Sequence, residues 1–227
     1  MPASEPKLNT EHQNQGFRQA SPAGASLLEP GTKFAPLPQA LIFKRLTDLL
    51  LTIGALTFLA PVFLFIAIII KLDSPGPVFF RQKRVGQNGH LFEIYKFRTM
   101  HTGTPDLPTD QMLKLPSPIT KVGKFLRKTS LDELPQLINV IKGEMALVGP
   151  RPALYNQVEL TEKRLARGVL RFLPGITGWA QVNGRDELPD DTKVDFDVWY
   201  CNNWNYALDW KIVWATFFTV SSARGAF

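Results

Sequence analysis

The segment LLLTIGALTFLAPVFLFIAIII, which runs from Leu49 to Ile70, contains no charged side chain. A straight α-helix of that length would reach about 33 Å, enough to cross a hydrocarbon core of about 30 Å. Outside this segment the 227-residue chain has an ordinary folded composition, with 44% hydrophobic and 20% charged residues overall. The sequence therefore predicts one domain of usual size that is attached to a membrane by this segment.

Two topologies are open for the apolar segment, a single membrane-spanning helix or a re-entrant helix–break–helix. Pro61 lies near its middle, removes a backbone donor and would kink a helix there. The carbonyl that Pro61 frees needs a donor, which the hydroxyl of Thr57 could supply. Basic residues flank both ends, with Lys44 and Arg45 before the segment and Lys71 after it. This lack of charge asymmetry favours entry and exit by one face, but the residues alone leave both topologies open.

The remaining composition sets the domain organisation and the classes of partner. Residues 1–38 are predicted to be a disordered tail, since they are polar, rich in proline and unable to bury a core. A formal net charge of +6 favours anionic partners such as phosphates or acidic lipid. The basic residues are dispersed and no nucleic-acid-binding motif occurs, so nucleic acid is not an expected partner.

The pattern beyond residue 73 predicts an α+β fold that is mainly helical. Asn88-Gly89 separates two strand-like stretches and predicts a small β-hairpin over residues 78–97. Leucine and isoleucine spacing predicts a helix within residues 129–145, and further amphipathic helices are expected at 155–173 and 192–223.

The tryptophans near the carboxyl end of the chain have two interpretations of equal weight. Trp210 and Trp214 could lie at headgroup depth on an interfacial helix, where tryptophan is enriched. They could equally be part of an ordinary core.

The adjacent acids Asp132 and Glu133 are the candidate catalytic pair. In one interpretation Ser130 and Glu133 form a capping box at the start of a helix. Pro135 argues against this, because proline favours the first helical position and would leave both carboxylates just outside the helix. In either register the helix dipole and nearby Arg127 favour ionised carboxylates. An ionised aspartate can act as a nucleophile, and an adjacent glutamate can bind Mg²⁺.

Two loops carry candidate substrate-binding residues. In GPRP, Arg151 stands between two prolines, which suits a guanidinium held for phosphate recognition. The alternative is a solvated arginine on a proline-rich loop. The stretch PGITGWAQVNGR is a plausible reader of a base or sugar, or else an irregular surface loop; its polar and aromatic residues are Trp179, Gln181, Asn183 and Arg185.

Taken together, five motifs in one order resemble the bacterial sugar transferase family, the monotopic phosphoglycosyl transferases that initiate surface-glycan and exopolysaccharide assembly. They are KRLTD (44–48), SPGPVFFRQKRVGQNG (74–89), YKFRTM (95–100), RKTSLDELPQLINVIKGEMALVGPRP (127–152) and PGITGWAQVNGR (174–185). The resemblance implies transfer of a phosphosugar from a UDP-sugar to polyprenyl (undecaprenyl) phosphate, with release of UMP and a covalent phosphosugar-aspartate intermediate. The rival functions are a glycosyltransferase that releases UDP and a non-catalytic, membrane-tethered scaffold.

The resemblance also implies roles for individual residues. Asp132 corresponds to the nucleophile and Glu133 to the Mg²⁺ ligand, while Arg127, Arg151 and Arg185 correspond to phosphate- or substrate-binding arginines. Ala146 departs from the family, which more often has serine there.

The family's membrane anchor corresponds to a re-entrant hairpin over residues 39–72, which carries Lys44, Arg45, Asp48 and Pro61. Residues 73–227 would then form the catalytic domain at the cytoplasmic face of a bacterial inner membrane. The expected partners are a UDP-sugar, polyprenyl phosphate and membrane lipid.

Overall fold

The computed structural model describes residues 38–104, 118–184 and 188–221. The first element, helix α1, is Pro38–Asp73. Apart from Pro38, the predicted disordered tail lies outside the described residues. Arg185 lies outside them as well.

Helix α1 contains the whole apolar segment and continues on both sides of Pro61. The predicted division into two helices is therefore not confirmed. The hydroxyl of Thr57 donates to the carbonyl of Ile53 at 2.9 Å, one turn back along the helix. The prediction that it would bind a carbonyl freed by Pro61 is wrong, because the nearer backbone acceptor within its own turn is available.

The two ends of α1 pack against the rest of the protein, whereas its middle is exposed. Ile66 and Ile70 are buried in a cluster with Phe97 and Leu126. Near the other end Asp48 is buried. Between them the helix projects large apolar side chains outward, with Phe58 83% exposed. Such a surface on a long apolar helix is suited to lipid rather than to water.

The basic residues before the apolar segment bind the domain itself. Lys44 Nζ lies 2.6 Å from Asp209 Oδ2 and 3.7 Å from Asp48 Oδ2. Arg45 donates to the carbonyls of Ile141 and Met145 at 3.2 and 3.4 Å. These contacts fix the beginning of α1 against the domain.

The predicted hairpin is confirmed as strands β1 (Phe79–Val85) and β2 (Leu91–Phe97). They are antiparallel, with Phe79 opposite Phe97. The turn between them contains the left-handed residues Asn88, at φ 54°, and Gly89, at φ 80°. Asparagine and glycine are the two residue types that adopt this conformation most readily, which explains why the dipeptide predicted the turn.

A second small sheet was not predicted. Strand β3 (Ala146–Val148) pairs in parallel with β4 (Gly175–Thr177). The backbones approach so closely that a Cβ on Gly175 would lie 2.1 Å from the nitrogen of Gly149. Three-residue strands are too short for an alternating pattern, so only the two glycines hint at this contact.

The other regular elements of the described residues are helices, as predicted; the helix expected at 155–173 is shorter, and the region 192–223 contains two helices, one of the two numbers expected. Tyr200 and Ile212, from the last two helices, join Val148 in the largest buried core. The helices are α2 (Lys121–Lys128), α3 (Gln136–Lys142), α4 (Val158–Ala166), α5 (Trp179–Val182), α6 (Asp190–Asn203) and α7 (Tyr206–Ser221).

Trp210 and Trp214 lie on the outer face of α7 and are 56% and 68% exposed. The interpretation of these residues as core is therefore wrong. Phe217 and Phe218 are exposed on the same helix. The face they form has the aromatic character of a membrane-interface helix.

Candidate active site

The acidic pair lies on a short 3₁₀ turn, Leu131–Glu133, that precedes α3. Ser130 adopts a left-handed conformation, with φ 55°, and its side chain makes no capping hydrogen bond. The capping-box interpretation is therefore wrong. Helix α3 begins at Gln136, directly after Pro135, so both carboxylates lie outside the helix as the proline predicted.

Glu133 is held by two cations. Its Oε1 accepts hydrogen bonds from Lys96 Nζ at 2.8 Å and Arg151 Nη2 at 2.9 Å, and Oε2 accepts a longer one from Arg151 Nη1 at 3.4 Å. Burial alone would raise the pKa of Glu133, but the charges and hydrogen bonds of Arg151 and Lys96 outweigh it and hold that pKa well below its ordinary value. Glu133 is thus an anion whose position is fixed by bonds to Lys96 of β2 and to Arg151 of the loop that follows β3.

Asp132 has the opposite environment. It is 8% exposed, and no residue within the described ranges donates a hydrogen bond to its carboxylate. Burial raises the pKa of Asp132 to about 6, and the negative charge of Glu133 adds to this, while Lys96, Arg127 and Arg151 act in the other direction. The prediction that both carboxylates are favoured in the ionised form therefore holds for Glu133 and fails for Asp132, because desolvation was not visible in the sequence.

Arg127 is brought to the site by a close approach of α2 to the end of β2. A Cβ on Gly123 would lie 2.0 Å from the carbonyl oxygen of Thr99, so only glycine permits this packing. One turn further along α2, Arg127 Nε donates to Thr99 Oγ1 at 2.9 Å. The guanidinium is close enough to Asp132 for their charges to interact.

The loop that carries Arg151 is fixed from two sides. Arg84 of β1 donates to the carbonyl of Pro152 at 3.0 Å, and Arg164 of α4 donates to the carbonyl of Arg151 at 2.7 Å. The amide of Val85 also donates to the carbonyl of Ala153 at 2.9 Å. The structure thus brings together Asp132, Glu133, Arg127 and Arg151.

Sequence reasoning missed three contributors to this site, namely Lys96, Thr99 and Arg164. Lys96 and Thr99 both belong to the quoted stretch YKFRTM, whose alternation places Lys96 on the face of β2 that Ile94 also occupies. That alternation was the available signal. Arg164 had none, because its partners are a backbone carbonyl and an acid 33 residues away.

The loop proposed to read a base or sugar is only partly described. Trp179 stacks on Trp199 with ring centroids 4.7 Å apart. The amides of Gln181 and Asn183 donate to the carbonyls of Ile176 and Trp179. These bonds order the loop locally, and its role as a reader stays a prediction.

The acidic pair fits Mg²⁺ that binds together with an anionic substrate. Within the described ranges there is no group of three or more potential metal-ligating side chains. Mg²⁺ is, however, commonly held by one or two carboxylates and completed by substrate phosphates and water. Among the described residues, Oε2 of Glu133 accepts only the 3.4 Å bond, so this oxygen retains the capacity to bind a cation.

Residues 39–223 match the family model of the bacterial sugar transferases. The chain belongs to this family. Among its relatives is an uncharacterized sugar transferase of Bacillus subtilis, EpsL, which is 44% identical over 189 residues, or 82% of this chain and 90% of that protein. The exopolysaccharide production protein ExoY of Sinorhizobium fredii is 38% identical over 201 residues, covering 82% and 88% of the two chains.

A longer relative carries a more specific name. The UDP-glucose:undecaprenyl-phosphate glucose-1-phosphate transferase of Escherichia coli is 43% identical over 184 residues, which are 78% of this chain but only 40% of that protein. The prediction of a bacterial sugar transferase, and hence of a transferase enzyme, is confirmed. The family is membrane-associated, and the described residues contain one helix, Ala40–Asp73, that is long and apolar enough to cross a membrane.

Proposed function

We propose that this protein moves a sugar 1-phosphate from a UDP-sugar to polyprenyl phosphate and releases UMP, as an early step of exopolysaccharide assembly. The observation that carries the proposal is the buried carboxylate of Asp132, which accepts no hydrogen bond from the described residues and has three cations around it. The name of the E. coli relative describes the same general reaction. A glycosyltransferase would break the bond between the sugar and the diphosphate and release UDP, so the released nucleotide distinguishes the two reactions.

The reaction begins with attack of an Asp132 carboxylate oxygen on the β-phosphorus of the UDP-sugar. The bond from that phosphorus to the bridging oxygen breaks, UMP leaves with the bonding electrons, and a phosphosugar-aspartate forms. An oxygen of polyprenyl phosphate then attacks the same phosphorus. This second step releases the Asp132 carboxylate and gives a polyprenyl diphosphate sugar, so no proton is gained or lost by the enzyme.

The basic residues offset the charge that develops on the phosphoryl oxygens. The charge of Arg127 acts on Asp132, and Lys96 and Arg151 bind Glu133. When bound, Mg²⁺ would supply further charge compensation to the diphosphate, with Glu133 as its protein ligand. Glu133 also keeps Lys96 and Arg151 in place, because both bind the same carboxylate oxygen.

The reaction needs a site at the membrane surface, where a water-soluble nucleotide and a lipid phosphate can meet. We infer that both ends of α1 lie at the cytoplasmic face of the bilayer. Lys44 and Ile66 are 22 residues apart, about 33 Å along a straight helix, yet both bind the same catalytic domain. A helix that spanned a hydrocarbon core of about 30 Å would place one of these contacts on the far side.

Cysteine labelling tests this topology. Cys201 is buried, so single cysteines introduced at Leu41 and Leu72, both exposed, would report separately on the two ends of α1. In intact cells neither position should react with a membrane-impermeant maleimide, and both should react in inverted membrane vesicles. Labelling of one position in cells and the other in vesicles would establish a spanning helix instead.

Incubation with the donor alone tests the chemistry. With a panel of UDP-sugars and no lipid acceptor, the enzyme should release one equivalent of UMP, and mass spectrometry should find a phosphosugar on Asp132. Asp132→Asn should abolish both signals, while Asp195→Asn, which changes an exposed acid, should leave them unchanged. Release of UDP, or a fully active Asp132→Asn enzyme, would rule the mechanism out.

A further inference from the structure

A buried ion pair lies beside the active site and takes no part in the proposed chemistry. Arg164 of α4 and Asp197 of α6 are bound through Nη2 and Oδ2 at 2.6 Å, and their side chains are 4% and 1% exposed. Burying two charges carries a large desolvation penalty, and an apolar pair of similar size is often at least as stable. Burial raises the pKa of Asp197 even though Arg164 acts against it, which indicates how strongly this acid is desolvated. Stability alone is therefore a poor explanation of the pair.

The other terminal nitrogen of the Arg164 guanidinium suggests a better explanation of the buried pair. Its Nη1 donates to the backbone carbonyl of Arg151 at 2.7 Å. The side chain of Arg151 in turn binds Glu133. Asp197 thus fixes Arg164, Arg164 fixes the backbone from which Arg151 projects, and Arg151 reaches the acidic pair.

We propose that Arg164 and Asp197 are positioning residues, which set the location of the Arg151 guanidinium for phosphoryl transfer without touching the substrate. The inference deepens the proposed function and rests on it. A guanidinium is suited to this role because its planar donors can bind an acid and a carbonyl at the same time in fixed directions. Arg84 supports the same loop from β1 through the carbonyl of Pro152, so the loop is held from both sides.

The chain offers a matched control on the same two helices. Arg167, directly after the last residue of α4, binds Asp195 of α6, but these side chains are 47% and 65% exposed. None of the described loop residues 149–154 accepts a hydrogen bond from the Arg167 guanidinium. Arg167→Gln therefore removes an ion pair between the C-terminal end of α4 and α6 without removing support from the loop.

Hydrogen exchange gives a readout that does not depend on activity. In the full-length enzyme in detergent, Arg164→Gln and Asp197→Asn should each speed exchange of the peptide 149–155, whose amides include those of Leu154 and Tyr155, bound to Gln157 Oε1 and to the carbonyl of Lys83. Arg167→Gln should leave this peptide unchanged. Asp197→Asn keeps the shape and an acceptor for Arg164, and it provides the test if Arg164→Gln does not fold.

Kinetics show whether the effect passes through Arg151. Arg164→Gln should lower kcat by about 10- to 100-fold with a smaller change in KM, since small misplacements of a positioned group have effects of that order. In an Arg151→Ala background the same substitution should lower kcat less than twofold. Equal losses in both backgrounds, or wild-type exchange and kcat in Arg164→Gln and Asp197→Asn, would overturn the positioning role. If the wild-type enzyme releases no UMP from any UDP-sugar while both substitutions still speed exchange of the loop, the proposed function is refuted and the structural support of the loop stands.

Discussion

Replacing Asp132 with asparagine should abolish transfer and at the same time make the protein more stable. The carboxylate is buried and accepts no hydrogen bond from the described residues, so the fold favours its neutral form. Asparagine has nearly the same shape and no charge to desolvate. The expectation is unusual, because most substitutions of buried residues destabilise a protein.

The size of the expected gain in stability follows from the raised pKa of Asp132. A rise from the ordinary 3.8 to about 6 corresponds to about 3 kcal/mol against the ionised form. The native state binds the proton more tightly than the unfolded state, so this penalty is fully present above about pH 6 and is lost as the pH falls towards 4. For a chain of this length, 3 kcal/mol corresponds to an increase in Tm of about 6–12 °C at pH 8.

Thermal unfolding of the detergent-solubilised enzyme, with EDTA present so that no divalent cation neutralises the acid, measures this effect. The Tm of Asp132→Asn should exceed that of the wild type at pH 8 and approach it near pH 4. Glu133→Gln should instead lower Tm at pH 8, because it leaves Lys96 and Arg151 without their shared anion. An Asp132→Asn protein that melts below the wild type at pH 8 would refute the account of a desolvated nucleophile.

Three further predictions concern other parts of the molecule. The rate of donor cleavage should fall below about pH 6, because Asp132 becomes protonated there. Lys96→Met should move this fall to higher pH, since Lys96 lowers the pKa of Asp132. Initial rates of UMP release measured against pH test both expectations. Lys44→Met should cost about 3–5 kcal/mol of stability, seen in thermal unfolding, because it leaves the partly buried Asp209 carboxylate without its cation. Trp214→Ser should weaken binding to phospholipid vesicles in flotation assays without a change in Tm, because this side chain is exposed.

The parts of the fold that the sequence predicted are those specified by local chemistry. The apolar segment, the Asn88-Gly89 turn and the helices that follow from regular spacing all depend on residues close together in the chain. The β3–β4 sheet escaped prediction because it joins two three-residue strands that are far apart in sequence. The continuous course of α1 through Pro61 also differs from expectation, since local chemistry favours a break there.

The candidate site shows the same difference between features set by local sequence and features set by tertiary packing. Asp132, Glu133, Arg127 and Arg151 were recognisable as residue types in suggestive loops. Their environments were not, because burial and the position of Lys96 are set by the packing of β2 against the 3₁₀ turn. The sequence could therefore predict which groups take part and could not predict that the two acids have pKa values shifted in opposite directions.

This difference between neighbouring acids explains how one dipeptide can serve two functions. An aspartate that was hydrogen-bonded by Lys96 and Arg151, as Glu133 is, would have its lone pairs occupied and would be a weaker nucleophile. A glutamate without those bonds would leave two cations unfixed at the place where phosphate charge develops. The 3₁₀ turn separates the two side chains, and the extra methylene of Glu133 lets its carboxylate reach the cations. Exchanging the two residues, Asp132→Glu with Glu133→Asp, keeps the composition and the charge of the chain. It should nevertheless inactivate the enzyme, because function depends on which acid is hydrogen-bonded to the cations and which acid can act as the nucleophile.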